Sequence, residues 1–465
     1  MSLANGGDAQ GLDSRSIRKI ALLSLVGASV EWFDFGLYGS AAALVFPALF
    51  FPHADPAVGV LLSFATLGVG FVARPLGGAL WGHFGDRHGR KRAFLMALLT
   101  MAVGSVLIGL MPSYAAIGVA APILLTVLRF VQGIAMGGQW GGATLLATES
   151  APPRKRGFYG SSAQLGSPIG VLLATLAYFL LSLAMPPGAF VSWGWRVPFV
   201  LSIGLVGVAW YIHRRLEETP AFAHLRRLAA AAQDQGVVSR SPVLEVLRSA
   251  WRRVLLAGGA FCVVSTTVYI YIAFGQDYAT RILHLSRTTA LLAMVISLLA
   301  QVPVMLGAAA ISDRIGRRKV CLVGAIGTAI WAFPLFWLVD TGTGWGVTLA
   351  LFGGQFAVSL MYGPMAAFLA ELFDARVRYS GASLSNQVGA LFGGTISALV
   401  AAALYRAFGS NVPISLYIIA VSALAVACLL ALPETYRNSL DNAEEHLSDV
   451  TRPGIRVGQP KDLAE

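Results

Sequence analysis

The sequence predicts an all-α polytopic membrane protein: twelve transmembrane helices in two pseudo-symmetric six-helix bundles. Three observations carry that prediction. Of the 465 residues, 56% are hydrophobic and only 12% charged, with a mean hydropathy of +0.69, against roughly 25% charged residues in a soluble domain. Apolar runs long enough for a ~30 Å hydrocarbon core follow one another nearly without pause. A charged loop between two such runs, Gly82 to Lys91, returns 227 positions later as Ser312 to Lys319, with Asp86, Arg87, Gly89 and Arg90 matching Asp313, Arg314, Gly316 and Arg317.

In order, the spans read as 20–50, 57–81, 93–111, 115–148, 159–184, 195–213, 251–279, 288–311, 320–339, 345–370, 380–407 and 411–432. Several exceed the ~20 residues a span needs, so those helices tilt or project beyond the bilayer. Backbone polar groups must be satisfied inside lipid, and the runs lack the alternating ten-residue segments of a barrel, which leaves helices. Residues 1–17 read as a disordered cytoplasmic N-terminus and 18–213 as the first bundle. Residues 214–250 read as a cytoplasmic linker, 251–432 as the second bundle and 433–465 as a cytoplasmic tail. The first apolar run is too long for a cleavable signal and carries acids in its middle.

If the N-terminus is cytoplasmic, 28 of the 34 lysines and arginines fall on the inner side. The positive-inside rule then sets both termini in the cytoplasm, of a bacterial inner membrane. The same distribution accounts for the net charge of +11, which would otherwise suggest a nucleic-acid partner. Cys262, Cys321 and Cys428 each fall inside a predicted helix without metal spacing and read as small core residues. No cofactor, metal or nucleic acid is expected, and the chain reads as functional as a monomer.

Repetition extends past the loop. Glu149 and Glu371, Arg156 and Arg378, and Gln164 and Asn386 are each 222 apart, and Glu217-Glu-Thr-Pro220 is echoed by Pro433-Glu-Thr435. Parallel repeats about the membrane normal are one transporter architecture.

The repeated G-x-x-x-D-R-x-G-R-K loop, the twelve helices and the central linker resemble the major facilitator superfamily. Within it, Glu31-Trp-Phe-Asp-Phe-Gly-Leu-Tyr-Gly39, Ala73-Arg-Pro-Leu-Gly-Gly78, Arg129-Phe-Val-Gln-Gly133, Trp140-Gly-Gly-Ala143, Trp193-Gly-Trp-Arg-Val-Pro-Phe199 and Glu371-Leu-Phe followed by Val377-Arg-Tyr379 resemble the metabolite:proton symporter family. The resemblance covers about residues 18 to 435 and implies alternating-access transport of organic acids or zwitterions. It also implies that the charged loops tie the two bundles together at the inner face. Family members usually carry Glu where this chain has Gln139, so a role for that acid does not carry over.

Ionised groups near the bilayer centre are costly and mark function. Glu31, Asp34, Arg74 and Arg129 lie well inside the predicted helices. Glu31, Asp34 and Tyr38 share one helix face, as nearly do Arg129, Gln132, Met136 and Gln139. Asp34 is expected to pair with Arg129 and to release it on protonation to hold a substrate carboxylate; the alternative is a permanent structural pair. Glu31 is a second candidate proton carrier, or else faces a cytoplasmic cavity with Arg74. Arg74 is either a second anion anchor, a cation snorkelling toward headgroups or a donor to helix-end carbonyls. Gln164, Tyr269, Gln301, Gln355, Ser359, Tyr362, Asn386 and Gln387 either line the cavity or bond between helices. In the charged loops, Asp86 and Asp313 are expected at helix N-termini, with Arg90 and Arg317 reaching Glu149 and Glu371. Arg87, Arg314, Arg156 and Arg378 complete the expected inner-face gate.

Gly68-x-Gly70-x-x-Ala73 mimics a dinucleotide fingerprint but follows no strand and reads as packing. Without a phosphate-binding loop, energy must come from gradients. The expected function is proton-coupled import of a small carboxylate-bearing metabolite, with a proton and that solute as partners. A proton-driven exporter, an importer of a zwitterionic solute and a non-transporting receptor are the alternatives.

Overall fold

The computed structural model describes residues 13–215, 242–271, 275 and 278–437. Most of the expected N-terminal segment, linker and tail lies outside the described residues. So does Glu217-Glu-Thr-Pro220.

The described chain is helical: α1 (Ser14–Leu44), α2 (Pro56–His88), α3 (Arg90–Leu110), α4 (Ala120–Glu149) and α5 (Arg156–Ala184). The second set is α7 (Trp251–Tyr269), α8 (Arg287–Ile315), α9 (Arg317–Val339), α10 (Gly344–Glu371) and α12 (Val412–Ala431). Between them stand α6, interrupted as Arg196–Leu201 and Gly204–Arg215, and α11, broken at Gly394 into Arg378–Gly393 and Thr395–Phe408. Nine of the described helices are long and apolar enough to cross a membrane. The other three expected spans, 195–213, 251–279 and 380–407, fall on α6, α7 and α11. Sequence reading does not register these interruptions, because Ser202 or Gly394 in an apolar run reads equally well as packing.

Local chemistry sets the ends. Asp13 caps α1 by accepting from the Ser16 amide at 2.7 Å, and Ser286 and Thr343 cap α8 and α10 by accepting from Thr289 and Gly346. The Ser16 hydrogen bonds hold the Asp13 carboxyl below the usual carboxylate range. α2 runs on through the charged loop to His88 and turns into α3 at Gly89, where φ is 113° and ψ 146°. α8 turns into α9 at Gly316 with φ 113° and ψ 150°. Only glycine adopts that backbone at low cost, which explains the Asp-Arg-x-Gly-Arg order at both places.

The two sets pack alike. α1 lies along α5, and α2 and α3 lie along α4; correspondingly α7 lies along α11, and α8 and α9 along α10. Between the sets, α2 meets α11 and α5 meets α8 and α10. α2 and α4 approach backbone to backbone: a Cβ on Gly77 would sit 2.0 Å from the Ile134 carbonyl oxygen, and one on Gly137 2.1 Å from that of Arg74. Such contact needs small residues, as between membrane helices generally. Large apolar side chains cover the outside, with Leu183 and Ile330 each 70% exposed, as a lipid-facing surface requires.

Candidate functional site

Asp34 lies 20 residues from the charged-loop end of α1, and Arg129 lies 20 from the same end of α4. At 1.5 Å per residue both sit ~30 Å from that face, at one depth. They meet there: Arg129 Nη1 is 3.2 Å from Asp34 Oδ2, with the two residues 1% and 0% exposed. Gln132 Nε2 donates to both Asp34 oxygens at 3.3 and 3.4 Å, and its Oε1 accepts from Arg129 at 3.1 Å. The Ser105 hydroxyl on α3 donates to Asp34 Oδ1 and accepts from Gln132 at 2.9 Å. Gly104 makes room, since a Cβ there would strike Gln132 Cγ at 2.7 Å. The Arg129 guanidinium stacks on Tyr38, 4.3 Å from its centroid. Thr66 Oγ1 spends its proton on the Ser63 carbonyl, so Tyr38 donates to Thr66 at 2.6 Å. Ser105 and Thr66 escaped sequence reasoning, because one hydroxyl in an apolar helix has no pattern to distinguish it from packing.

A second group stands between the helix sets, one to two turns nearer the charged loops. Arg74 is 14 residues from the end of α2, and at 8% exposure it does not snorkel. The snorkelling alternative fails because α2 continues seven residues past the expected span end at 81, leaving Arg74 ~21 Å from the face. Its guanidinium stacks on Phe71 at 4.2 Å, approaches Phe35 at 5.9 Å and reaches Met136 Sδ at 3.5 Å. Phe35, Phe71 and Tyr269 of α7 meet edge to face at 5.3 to 5.9 Å, roofing the site with rings from both sets. Glu31, 6% exposed, is within electrostatic range of Arg74 and Asp34 but makes no ion pair with either. Beneath, Gln164 accepts from Trp140 Nε1 at 2.8 Å and donates to the Tyr362 carbonyl at 3.3 Å, joining α4, α5 and α10.

Other expected site residues lie apart. Gln139 donates to the Gly27 carbonyl at 3.0 Å and ties α4 to α1 instead of joining the Asp34 cluster. Gln301 donates to Gln355 at 3.3 Å, and Ser359 back-bonds to Gln355. Asn386 accepts from Gln387, which also donates to the Gly137 carbonyl at 3.2 Å.

At the charged-loop face the expected carboxylate-to-helix-N-terminus contacts occur, but across the two sets. Asp86 accepts from the Tyr379 and Ser380 amides at 3.2 and 3.0 Å and from the Ser380 hydroxyl at 2.7 Å. Asp313 accepts from the Gly157 and Phe158 amides at 2.8 and 2.9 Å. The donor positions are again 222 apart. Arg90 holds Asp86 at 3.3 Å, approaches Glu149 at 3.8 Å and donates to the Ala375 carbonyl at 2.7 Å. Arg378 reaches across to Glu149 at 3.1 Å. In the second copy, Arg317 holds Asp313 at 2.6 Å and Glu371 at 3.2 Å, and Arg156 acts electrostatically on Glu371. Glu434 accepts from the Arg317 amide at 2.8 Å and Thr435 donates to Glu371 at 2.8 Å, so the start of the tail joins this copy. Arg87 and Arg314 depart from expectation. Both are exposed and make no hydrogen bond or ion pair with another described residue, because the residue after each aspartate points off the outer side of its helix.

The sugar (and other) transporter family matches residues 20–447. The chain belongs to that family. Its relatives include the inner membrane metabolite transport protein YhjE of Escherichia coli, 40% identical over 91% of this chain and 96% of that one. The shikimate transporter of E. coli is 38% identical over 90% and 95%, and a proline/betaine transporter of Salmonella typhimurium 32% identical over 99% and 92%. Among solved structures, the major facilitator superfamily proton:xylose symporter XylE superposes with a TM-score of 0.74 at 17% identity, covering 92% of this chain and 98% of that one. The protein is therefore a membrane-spanning transporter of that family and not an enzyme, and it shares the fold of the xylose symporter.

Proposed function

We propose that this transporter imports a small carboxylate-bearing metabolite together with a proton by alternating access. The observation that carries the reading is the Asp34–Arg129 pair, fully buried and at one depth. Removing one partner of a buried pair leaves an uncompensated charge worth about 3–5 kcal/mol. Protonating Asp34 does so reversibly: Arg129 becomes an unbalanced cation and draws an anion into the space it shares with Arg74, where Phe35 lies about 6 Å from both guanidiniums. Proton and carboxylate then bind cooperatively. A proton moving down 100 mV supplies ~2.3 kcal/mol to drive accumulation.

The lysine and arginine distribution supports cytoplasmic termini and an inward-facing charged-loop end. In that orientation the cross-set bonds of Asp86 and Asp313 are inner-face latches, closed here, and the aromatic roof faces outside. In proteoliposomes, Asp34→Asn is expected to abolish pH-gradient-driven accumulation while solute exchange at equal pH persists. Accumulation at the wild-type level would refute the coupling role.

A further inference from the structure

The Asp34 carboxylate is saturated with partners. Glu31 and Arg74 are not, although both are more than nine-tenths buried. Arg74 has a thioether and two aromatic rings for contacts, and its Nε has no hydrogen-bond partner. Among the described residues Glu31 makes no hydrogen bond, and no ion pair within 4.0 Å joins it to Arg74 despite the opposite charge. Around them stand hydroxyls from the other helix set: Tyr269, whose hydroxyl faces the Arg74 guanidinium and which acts electrostatically on Glu31, and Tyr362, linked to both as well. A buried charge is kept only when something satisfies it. Among the described residues no group pairs with the Glu31 carboxylate or with Arg74 Nε.

We infer that Glu31 and Arg74 are the two poles of one ligand site, and that its solute carries a cationic or hydrogen-bond-donating group a few ångströms from the carboxylate. This rests on the carboxylate reading above and narrows it. Arg74 takes the carboxylate in bidentate fashion, which its fork geometry favours. Glu31 accepts from a hydroxyl or ammonium, or faces a quaternary cation across the Phe35, Phe71 and Tyr269 rings. A dicarboxylate fits poorly, because its second carboxylate would face Glu31 at close range in a poorly screened site. Hydroxy acids and amino-acid-like zwitterions meet the same requirement by the same chemistry.

The test is binding of shikimate, proline, glycine betaine, succinate, cyclohexanecarboxylate and a neutral pentose to the full chain in nanodiscs, for wild type, Glu31→Gln and Glu31→Asp. Wild type is expected to bind at least one of shikimate, proline or betaine at least about tenfold tighter than succinate and cyclohexanecarboxylate. Glu31→Gln is expected to lose affinity for that solute and gain affinity for succinate, and Glu31→Asp to retain the preference in part. The inference is overturned if wild type prefers succinate, or if Glu31→Gln weakens every ligand equally. Should no carboxylate bind while a neutral pentose does, the carboxylate reading fails and this inference with it. Dicarboxylate preference leaves that reading standing and removes only the second pole.

Discussion

Replacing Asp86 by Ala should open the charged-loop face by an amount the structure fixes. Asp86 accepts from two α11 amides and one hydroxyl of the opposite helix set, and these groups find water once the face parts. At about 1.5 kcal/mol for each amide, the low end for a charged acceptor, the closed state loses about 3 kcal/mol even if the hydroxyl is ignored. That is roughly 150-fold in the closed-to-open ratio. Arg90 is not orphaned by the change, because Glu149 and the Gly85 and Ala375 carbonyls remain beside it. Ser383 is a suitable reporter: it is fully buried, with its hydroxyl against Gly141 across the set boundary. With Cys262, Cys321 and Cys428 replaced and Ser383→Cys introduced, the maleimide labelling rate from the charged-loop side measures the open population. Asp86→Ala should raise that rate by about two orders of magnitude. A rise below about fivefold, in protein of unchanged melting temperature, would refute the latch argument.

Three further outcomes follow from the same geometry. Gly137→Ala should cost about 1–3 kcal/mol or more, because its methyl would lie 2.1 Å from the Arg74 carbonyl oxygen; a thermal melt in detergent showing no loss would contradict the close approach of α2 and α4. Gln139→Glu should give a protein that melts lower at pH 8 than at pH 5 relative to wild type, since a neutral carboxyl can donate to the Gly27 carbonyl and an ionised one cannot. Ser105→Ala should cut gradient-driven uptake in proteoliposomes by roughly tenfold through loss of a hydrogen bond to a buried charge; unchanged uptake would remove Ser105 from the coupling cluster.

The Asp34–Arg129 contact was legible in the sequence because helix depth can be counted from either end, and two costly charges at one level have few other partners. The repeated loop was legible because its order exceeded what positive-inside bias requires. That the charged loops join the two helix sets was legible only through the family resemblance, and which helix start each aspartate caps was not, since sequence places a carboxylate near a helix start without saying which helix. Arg74 was misjudged in one respect: the charged residues that seemed to end its span are the last turns of a helix that continues to His88. Ser105 and Thr66 stayed hidden, as did the break at Gly394, because an isolated hydroxyl or glycine in an apolar run signals packing equally well.

The glycine seam between α2 and α4 has a mechanical consequence. With Gly70, Gly77, Gly133 and Gly137 seated against opposing backbone or the Arg129 side chain, the two helices cannot slide or roll on one another without atomic overlap. Arg74 and Arg129 are thus rivets in a single plank, through which, in the proposed mechanism, both the anion and the proton would act. Any tilt that carries one carries the other by the same angle, so the protein has no motion available in which loading is sensed at one cation and ignored at its neighbour.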